Sequence, residues 1–159
     1  MKKAPSYQGL RPASARATAA ARGSSKKTRT RCEMLLRRAL WRHGCRFRVD
    51  ATELPGRPDV VFTKAKVAIF CDGDFWHGKD WPERRQKLAR GANAEYWIAK
   101  IGRNLERDLE VSARLRDRGF IVLRFWESEI RRDVEAVCVL VLDILDSMGH
   151  RKSRDRPPR

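Results

Sequence analysis

Pro58-Asp59-Val60-Val61-Phe62-Thr63-Lys64-Ala65-Lys66-Val67-Ala68-Ile69-Phe70-Cys71-Asp72-Gly73-Asp74-Phe75-Trp76-His77 is the stretch on which the reading of this chain turns. Residues 59–62 and 66–71 are short apolar runs rich in β-branched and aromatic side chains, the signature of strands. Thr63-Lys64-Ala65 between them fits a hairpin connection, and Leu54-Pro55-Gly56-Arg57-Pro58 ahead of them reads as a turn.

Upstream, Cys32, Leu35, Leu36, Ala39 and Leu40 fall at i, i+3, i+4, i+7 and i+8, the spacing of a helix with one buried face. Thr28 or Thr30 can cap its start, and His43-Gly44 ends it. Cys45, Phe47 and Val49 then alternate with Arg46, Arg48 and Asp50, which predicts a further half-buried strand. Downstream, residues 72–93 are polar and irregular. Residues 94–118 predict a long helix with Trp97, Ile101 and Leu105 on its core stripe and Gly119 as its stop. Residues 120–126 predict a strand, and residues 133–148 a last helix with Val134, Val137, Val141, Leu145 and Met148 on one face. The expected order is helix, three strands, helix, strand, helix: an α/β chain with a mixed sheet flanked by helices.

The chain has 159 residues, 42% hydrophobic and 35% charged, with 36 Lys and Arg against 20 Asp and Glu. One domain with a real core is expected, not a disordered chain. No apolar run is long enough to span a bilayer, and no apolar segment follows the basic N-terminus as in an export signal. A net charge of +16 implies a polyanionic partner, most often nucleic acid. The charge is concentrated at the ends: residues 1–31 hold nine Lys and Arg and no acid, and residues 151–159 hold five against Asp155. Residues 1–27 are expected to form a flexible basic arm, 28–149 the folded domain and 150–159 a basic tail. Such tails serve solubility and general polyanion affinity, or hold DNA. Cys32, Cys45, Cys71 and Cys138 lack C-x-x-C spacing and read as reduced thiols of a cytoplasmic protein.

If the two strands of the opening stretch pair, Asp59 lies beside Asp72 and the Cys71 carbonyl, within reach of one cation. Oxygen ligands suit Mg²⁺, which binds through one or two carboxylates plus substrate phosphates. His77 lies close in sequence and can act as general acid or base. Phosphodiester hydrolysis needs these parts together. Each residue also has a plain reading. Asp59 can be a turn residue, Asp72 an ordinary carboxylate beside Gly, His77 a surface imidazole, and Phe75 and Trp76 part of a core.

Pro55-Gly56-Arg57-Pro58-Asp59-Val60-Val61-Phe62, Phe70-Cys71-Asp72-Gly73-Asp74-Phe75-Trp76-His77, the run from Tyr96 to Asp108, and Val122-Leu123-Arg124-Phe125-Trp126-Glu127 together resemble the very short patch repair (Vsr) DNA mismatch endonucleases. The resemblance spans roughly residues 28–147. It implies a restriction-endonuclease-like fold and Mg²⁺-dependent nicking of one DNA strand at a T:G mismatch. On it, Asp59 matches the metal-binding aspartate, and Cys71 stands where a Thr carbonyl binds metal. Asp72 stands where the best-known members have a catalytic His, which makes it a catalytic group or a second carboxylate on the metal. His77 matches the second catalytic His, and Glu33 an acid on a helix near the site. Phe75 and Trp76 match aromatics that wedge into the base stack.

The four places of the family's structural zinc hold Asp74, Lys79, Trp81 and Ser128, so no zinc is expected there. Loop 72–93 is expected to be held by Trp81 packing and ion pairs instead. No Met lies between Met1 and Met34, so the Met that the family's arm can insert into DNA is missing. Arg57, Lys79, Lys100, Arg103 and Asn104 are candidate DNA contacts. For Lys100, Arg103, Asn104 and Arg107 a solvated helix face is the alternative, and Arg57 could instead screen the acidic site. A monomer acting on double-stranded DNA, linked in function to a cytosine-5 methyltransferase, is the partner reading. A nuclease of the same fold without mismatch specificity, or an inactive DNA-binding relative, are the competing readings.

Overall fold

The computed structural model describes residues 9–12 and 30–149. Helix α1 (Arg31–Arg42) begins where Thr30 accepts a hydrogen bond from the Glu33 amide, and Gly44, at φ 77°, lets the chain turn out of it. Cys32, Leu36, Ala39 and Leu40 on its stripe are buried. Strands β1 (Val60–Phe62) and β2 (Val67–Asp72) pair antiparallel, with Val60 opposite Ile69, as the opening stretch predicts. After β2 come α2 (Trp81–Ala89), α3 (Ala94–Asp117), β3 (Ile121–Trp126), α4 (Glu127–Arg132) and α5 (Val134–Ser147). β3 lies parallel to β2, from Val67 beside Ile121 to Asp72 beside Trp126, so the sheet is mixed with order β1-β2-β3.

Strand periodicity divides the core. Val67 and Ile69 join α1, Ile130 of α4 and the buried face of α5 on one side of the sheet, with half-buried Cys71 packed against them. Ala68 and Phe70 face the other way, onto Leu115 and Val111 of α3. Cys71 and Asp72 are therefore consecutive residues aimed at opposite layers.

Three expectations change. The alternation at Cys45, Phe47 and Val49 yields no strand but a single bridge, Arg48 to Val61, with two hydrogen bonds of 2.9 Å. Asp50 adopts φ 54°, a left-handed conformation that ends the extended run. The polar stretch 72–93 contains α2, a helix with no buried residue, so it leaves no apolar stripe in the sequence. Short α4 likewise buries only Ile130. On the expected stripes, Ile101 is fully buried, Trp97 and Leu105 are half-buried, and Met148 is exposed. The expectations for 1–8, 13–27 and 150–159, and Thr28 as a cap, lie outside the described residues. Within the expected arm, residues 9–12 are described, and the Arg11 main chain exchanges two hydrogen bonds, 2.9 and 3.0 Å, with the Asn93 side chain ahead of α3.

Candidate active site

The hairpin brings the start of β1 beside the end of β2. The Asp59 amide donates to the Ile69 carbonyl at 2.9 Å, and the Cys71 amide donates to Asp59 Oδ2 at 2.7 Å. In an extended strand the N–H and C=O of one residue point to the same side. The Cys71 carbonyl thus faces the same side as the amide that meets Asp59. Its thiol is a neutral group: burial first, then Asp59 and Cys32, push it well above the ordinary thiol range.

Glu33, in the first turn of α1, completes this half of the site. It is buried, accepts from the Thr30 hydroxyl at 2.8 Å, and pairs with Arg37 at 3.2 Å. Arg37 spends its other contacts on the Asp59 main-chain carbonyl, at 2.8 and 3.2 Å, not on the Asp59 carboxylate. Burial therefore pushes the Asp59 carboxyl up to about 6, with Glu33 and Asp72 adding to the rise and the Cys71 amide and Arg37 opposing it. A half-buried carboxylate crowded by two others is an oxygen-donor set that a hard divalent cation relieves.

The other half forms on the α3 face of the sheet. Asp72 is buried, and Arg124 of β3 grips both its oxygens, Nε to Oδ2 at 2.6 Å and Nη2 to Oδ1 at 2.8 Å. The same guanidinium lies 4.6 Å from the centre of the Phe70 ring and meets Asp108 of α3 at 3.2 Å. The other Asp108 oxygen binds His77 Nδ1 at 2.5 Å, while Asp72 stands 3.6 Å from that nitrogen. Burial alone would push the Asp108 carboxyl up, but the His77 bond and Arg124 outweigh it and hold the carboxyl below its ordinary value. Gly78 seats the His77 loop on α3. At φ 69°, with Leu105 and Ile101 atoms 3.1–3.2 Å from where a Cβ would stand, it leaves no space for a side chain.

The same loop carries Phe75 and Trp76, half-buried and packed edge-on at 5.2 Å between ring centres. Trp97 lies 5.6 and 6.0 Å from them, with Tyr96 beyond it. Lys100 stands over Trp76, Tyr96 and Trp97 at 5.3–5.8 Å and donates to the Tyr96 hydroxyl at 2.9 Å. Asn104, a candidate DNA contact, instead donates to the Trp76 carbonyl at 2.8 Å and pins this loop. Arg57, proposed to touch phosphate or screen the site, pairs with Asp50 at 2.8 Å. Arg103 lies on α3, beside Asn104 in sequence.

Of Asp74, Lys79, Trp81 and Ser128, three meet: the Lys79 ammonium donates to the Ser128 hydroxyl at 2.5 Å, and the Ser128 amide donates to Asp74 at 3.2 Å. Hydrogen bonds join this loop to α4, and the His77–Asp108 ion pair ties it to α3. A separate group, His43, Glu135 and Cys138, has donor atoms close enough for one ion at the far end of α1. There His43 and Arg42 each hold one Glu135 oxygen at 2.7 Å, which makes it an ion-paired clamp between α1 and α5.

Asp108, Arg124 and Arg37 were not singled out as site residues from sequence. A signal for the first two existed. Asp108 shares the 3,4-spaced face of Leu105, Ser112 and Leu115, and Arg124 interrupts the apolar strand 121–126.

The family model described as DNA mismatch endonuclease Vsr matches residues 12–83. A type II nicking enzyme of Neisseria meningitidis serogroup C is 41% identical over 134 residues, covering 84% of this chain and 89% of that protein. A type II nicking enzyme of Haemophilus parainfluenzae is 40% identical over 114 residues, 72% and 79% of the two chains. DNA mismatch endonuclease Vsr of Escherichia coli K12 is 38% identical over 102 residues, 64% of each. The chain belongs to the Vsr endonuclease family and is a phosphodiester-cleaving nuclease of the α/β, restriction-endonuclease-like kind. Among the described residues no helix is long and apolar enough to cross a membrane.

Proposed function

We propose that this nuclease nicks one strand of double-stranded DNA at a T:G mismatch, using Mg²⁺. The observation that carries the reading is the loop from Gly73 to Gly78, which holds His77 against Asp108 and, two residues earlier, the Phe75-Trp76 pair. A proton-handling group and a pair of aromatic wedges on one short loop suit an enzyme that cuts where it unstacks bases. Unstacking is cheapest at a mismatched pair, which favours mismatched substrates.

Asp59 and the Cys71 carbonyl would hold the Mg²⁺, with Glu33 behind Asp59. When bound, the ion supplies charge neutralisation at the phosphate and a more acidic water. In hydrolysis a water oxygen bonds to phosphorus, one P–O ester bond breaks, and the departing oxygen takes up a proton. Asp108, ionised, keeps the proton of His77 on Nδ1, so that the opposite nitrogen, Nε2, is the one able to accept the proton that water releases. Phe75, Trp76 and Trp97 stack against exposed bases, and Lys100, Arg103 and Lys79 add cationic contacts to DNA. A monomeric enzyme in the cytoplasm, at the nucleoid, working alongside a cytosine-5 methyltransferase whose product deaminates to thymine, is the setting this reading implies.

A second reading, site-specific nicking without mismatch preference, is favoured by the names of the N. meningitidis and H. parainfluenzae relatives. Two end-labelled duplexes, identical except for T:G in place of C:G, separate the two, each run with Mg²⁺, with EDTA and beside Asp59→Ala. The mismatch reading expects a Mg²⁺-dependent nick on the T strand of the mismatched duplex alone. Equal cutting of both duplexes overturns it in favour of the second.

A further inference from the structure

The Asp72–Arg124 pair has no part in the chemistry above, yet it is the most heavily bonded charge pair of the site. We propose that Arg124 is a positioning residue of the nicking reaction, acting through Asp108 on His77, and that Asp72 is the brace of Arg124 and not a ligand of the metal. This rests on the reading of His77 as the proton-handling group.

Arg124 has five N–H donors in a planar fork. Two engage Asp72, at 2.6 and 2.8 Å, which fixes the plane of the guanidinium. Phe70, its neighbour across the β2–β3 pair, supports one face of that plane at 4.6 Å. Nη2 also reaches Asp108 Oδ1 at 3.2 Å, and Nη1 reaches the Ser112 hydroxyl at 3.4 Å. Ser112 in turn donates to the Asp108 main-chain carbonyl at 2.7 Å. The Asp108 carboxylate is thus held on one oxygen by Arg124 and binds His77 with the other.

A histidine oriented by a carboxylate works only as well as that carboxylate is itself held. Asp108 lies on α3 and His77 on a loop that α3 seats through Gly78 and Asn104, so what remains is the tie of this unit to the sheet. Arg124 is that tie, since β3 is hydrogen-bonded to the strand that ends in Asp72. With both oxygens committed to a guanidinium, Asp72 offers a cation far less than Asp59 does.

The test uses the full-length protein with Arg124→Met, Arg124→Lys, Asp72→Asn and the Asp72→Asn/Arg124→Met double variant. Nicking of the T:G duplex is measured in single turnover, and Mn²⁺ binding by calorimetry. We expect Arg124→Met and Asp72→Asn each to slow the nicking step about 10–100-fold with little change in DNA affinity. Arg124→Lys, which keeps the charge without the fork, recovers part of the rate. The double variant falls no further than the worse single one, the mark of two residues acting as one unit. Mn²⁺ affinity stays at the wild-type value in Asp72→Asn and drops in Asp59→Asn. A second readout needs no cleavage: the ¹⁵N spectrum of His77, one of three histidines in the chain, should lose its single Nδ1–H tautomer in Arg124→Met. Equal loss of Mn²⁺ affinity in Asp72→Asn and Asp59→Asn, strictly additive rates, or an unchanged His77 spectrum with an unchanged rate each overturn the proposal. If the wild type leaves the T:G duplex intact, the mismatch reading fails, while the His77 spectrum still decides the role of Arg124.

Discussion

The two halves of the site contain the same ingredients, two carboxylates and one arginine, and use them in opposite ways. Around β1, Arg37 bonds Glu33 and the Asp59 main chain and leaves the Asp59 carboxylate short of positive charge. Around β3, Arg124 bonds the carboxylates of Asp72 and Asp108 themselves. One half is therefore crowded with negative charge and suits an incoming cation. The other has both of its carboxylates bonded to one guanidinium and suits the fixed orientation of a histidine. Where a guanidinium points, more than how many acids surround it, sorts ligand from brace.

The sharpest way to break this contrast is to remove the acid of the crowded half. Asp59→Ala should cut nicking by about 10³-fold or more, since a catalytic metal supplies several kcal/mol. His77→Ala should cost about 10²–10³-fold in rate at saturating DNA, the range for general acid–base groups. Residual cleavage at wild-type rate in either variant would remove that residue from the mechanism.

Stability should move in opposite directions in the two halves. The Asp59 carboxyl, raised to about 6 in the folded protein, takes up protons there more readily than in the unfolded chain. Its unfavourable contribution thus grows as pH rises from about 4 to about 6 and is fully present at pH 7. Asp59→Asn, which keeps an acceptor for the Cys71 amide, should raise the metal-free melting temperature at pH 7, by a stability gain of about 1–2 kcal/mol. Asp108, held below its ordinary value, contributes stability above the unfolded carboxyl pKa and loses it as pH falls through the lower folded one. Asp108→Asn should lower the melting temperature at pH 7, with a loss of about 1–3 kcal/mol. Thermal scans in EDTA at pH 5 and pH 7 check both signs, and the same sign in both variants would erase the distinction.

A smaller effect concerns when the crowded half is ready for its cation. Nicking at low Mg²⁺ should fall as pH drops through about 6, where Asp59 becomes protonated, and added Mg²⁺ should shift that fall to lower pH. The smallest effect is where loop 72–93 meets α4. Ser128→Ala removes the bond to Lys79 and should weaken the fold by about 1 kcal/mol while leaving metal-dependent nicking in place.

Much of the crowded half was legible in sequence because it is local. Asp59 and Cys71 lie where two apolar strands joined by a short turn come together, and a hairpin leaves few ways to arrange them. Glu33 was legible only through the family resemblance, since a first-turn acid is equally what a helix dipole favours. The braced half was hidden by distance along the chain: Asp108 is 31 residues from His77, and Arg124 is 52 from Asp72. Their meeting depends on how α3 and β3 pack, which no local pattern encodes. Helix α2 escaped notice for a different reason. Its residues bury nothing, so the chain carries no periodic trace of it.

Consecutive placement of Cys71 and Asp72 on opposite faces of β2 has a consequence for how such chains can diverge. One residue added or lost inside β2 would exchange the two layers, turning the brace toward α1 and the thiol toward Arg124. Thr63 and Lys64, exposed in the turn, can change in number without moving either strand, whereas Ala65 is in the core and the Lys66 carbonyl accepts from the Ile121 amide. Tolerance of insertions should therefore switch sharply after Lys64, so that a library of single-residue insertions, read out by nicking, would draw the boundary between turn and strand in units of survival.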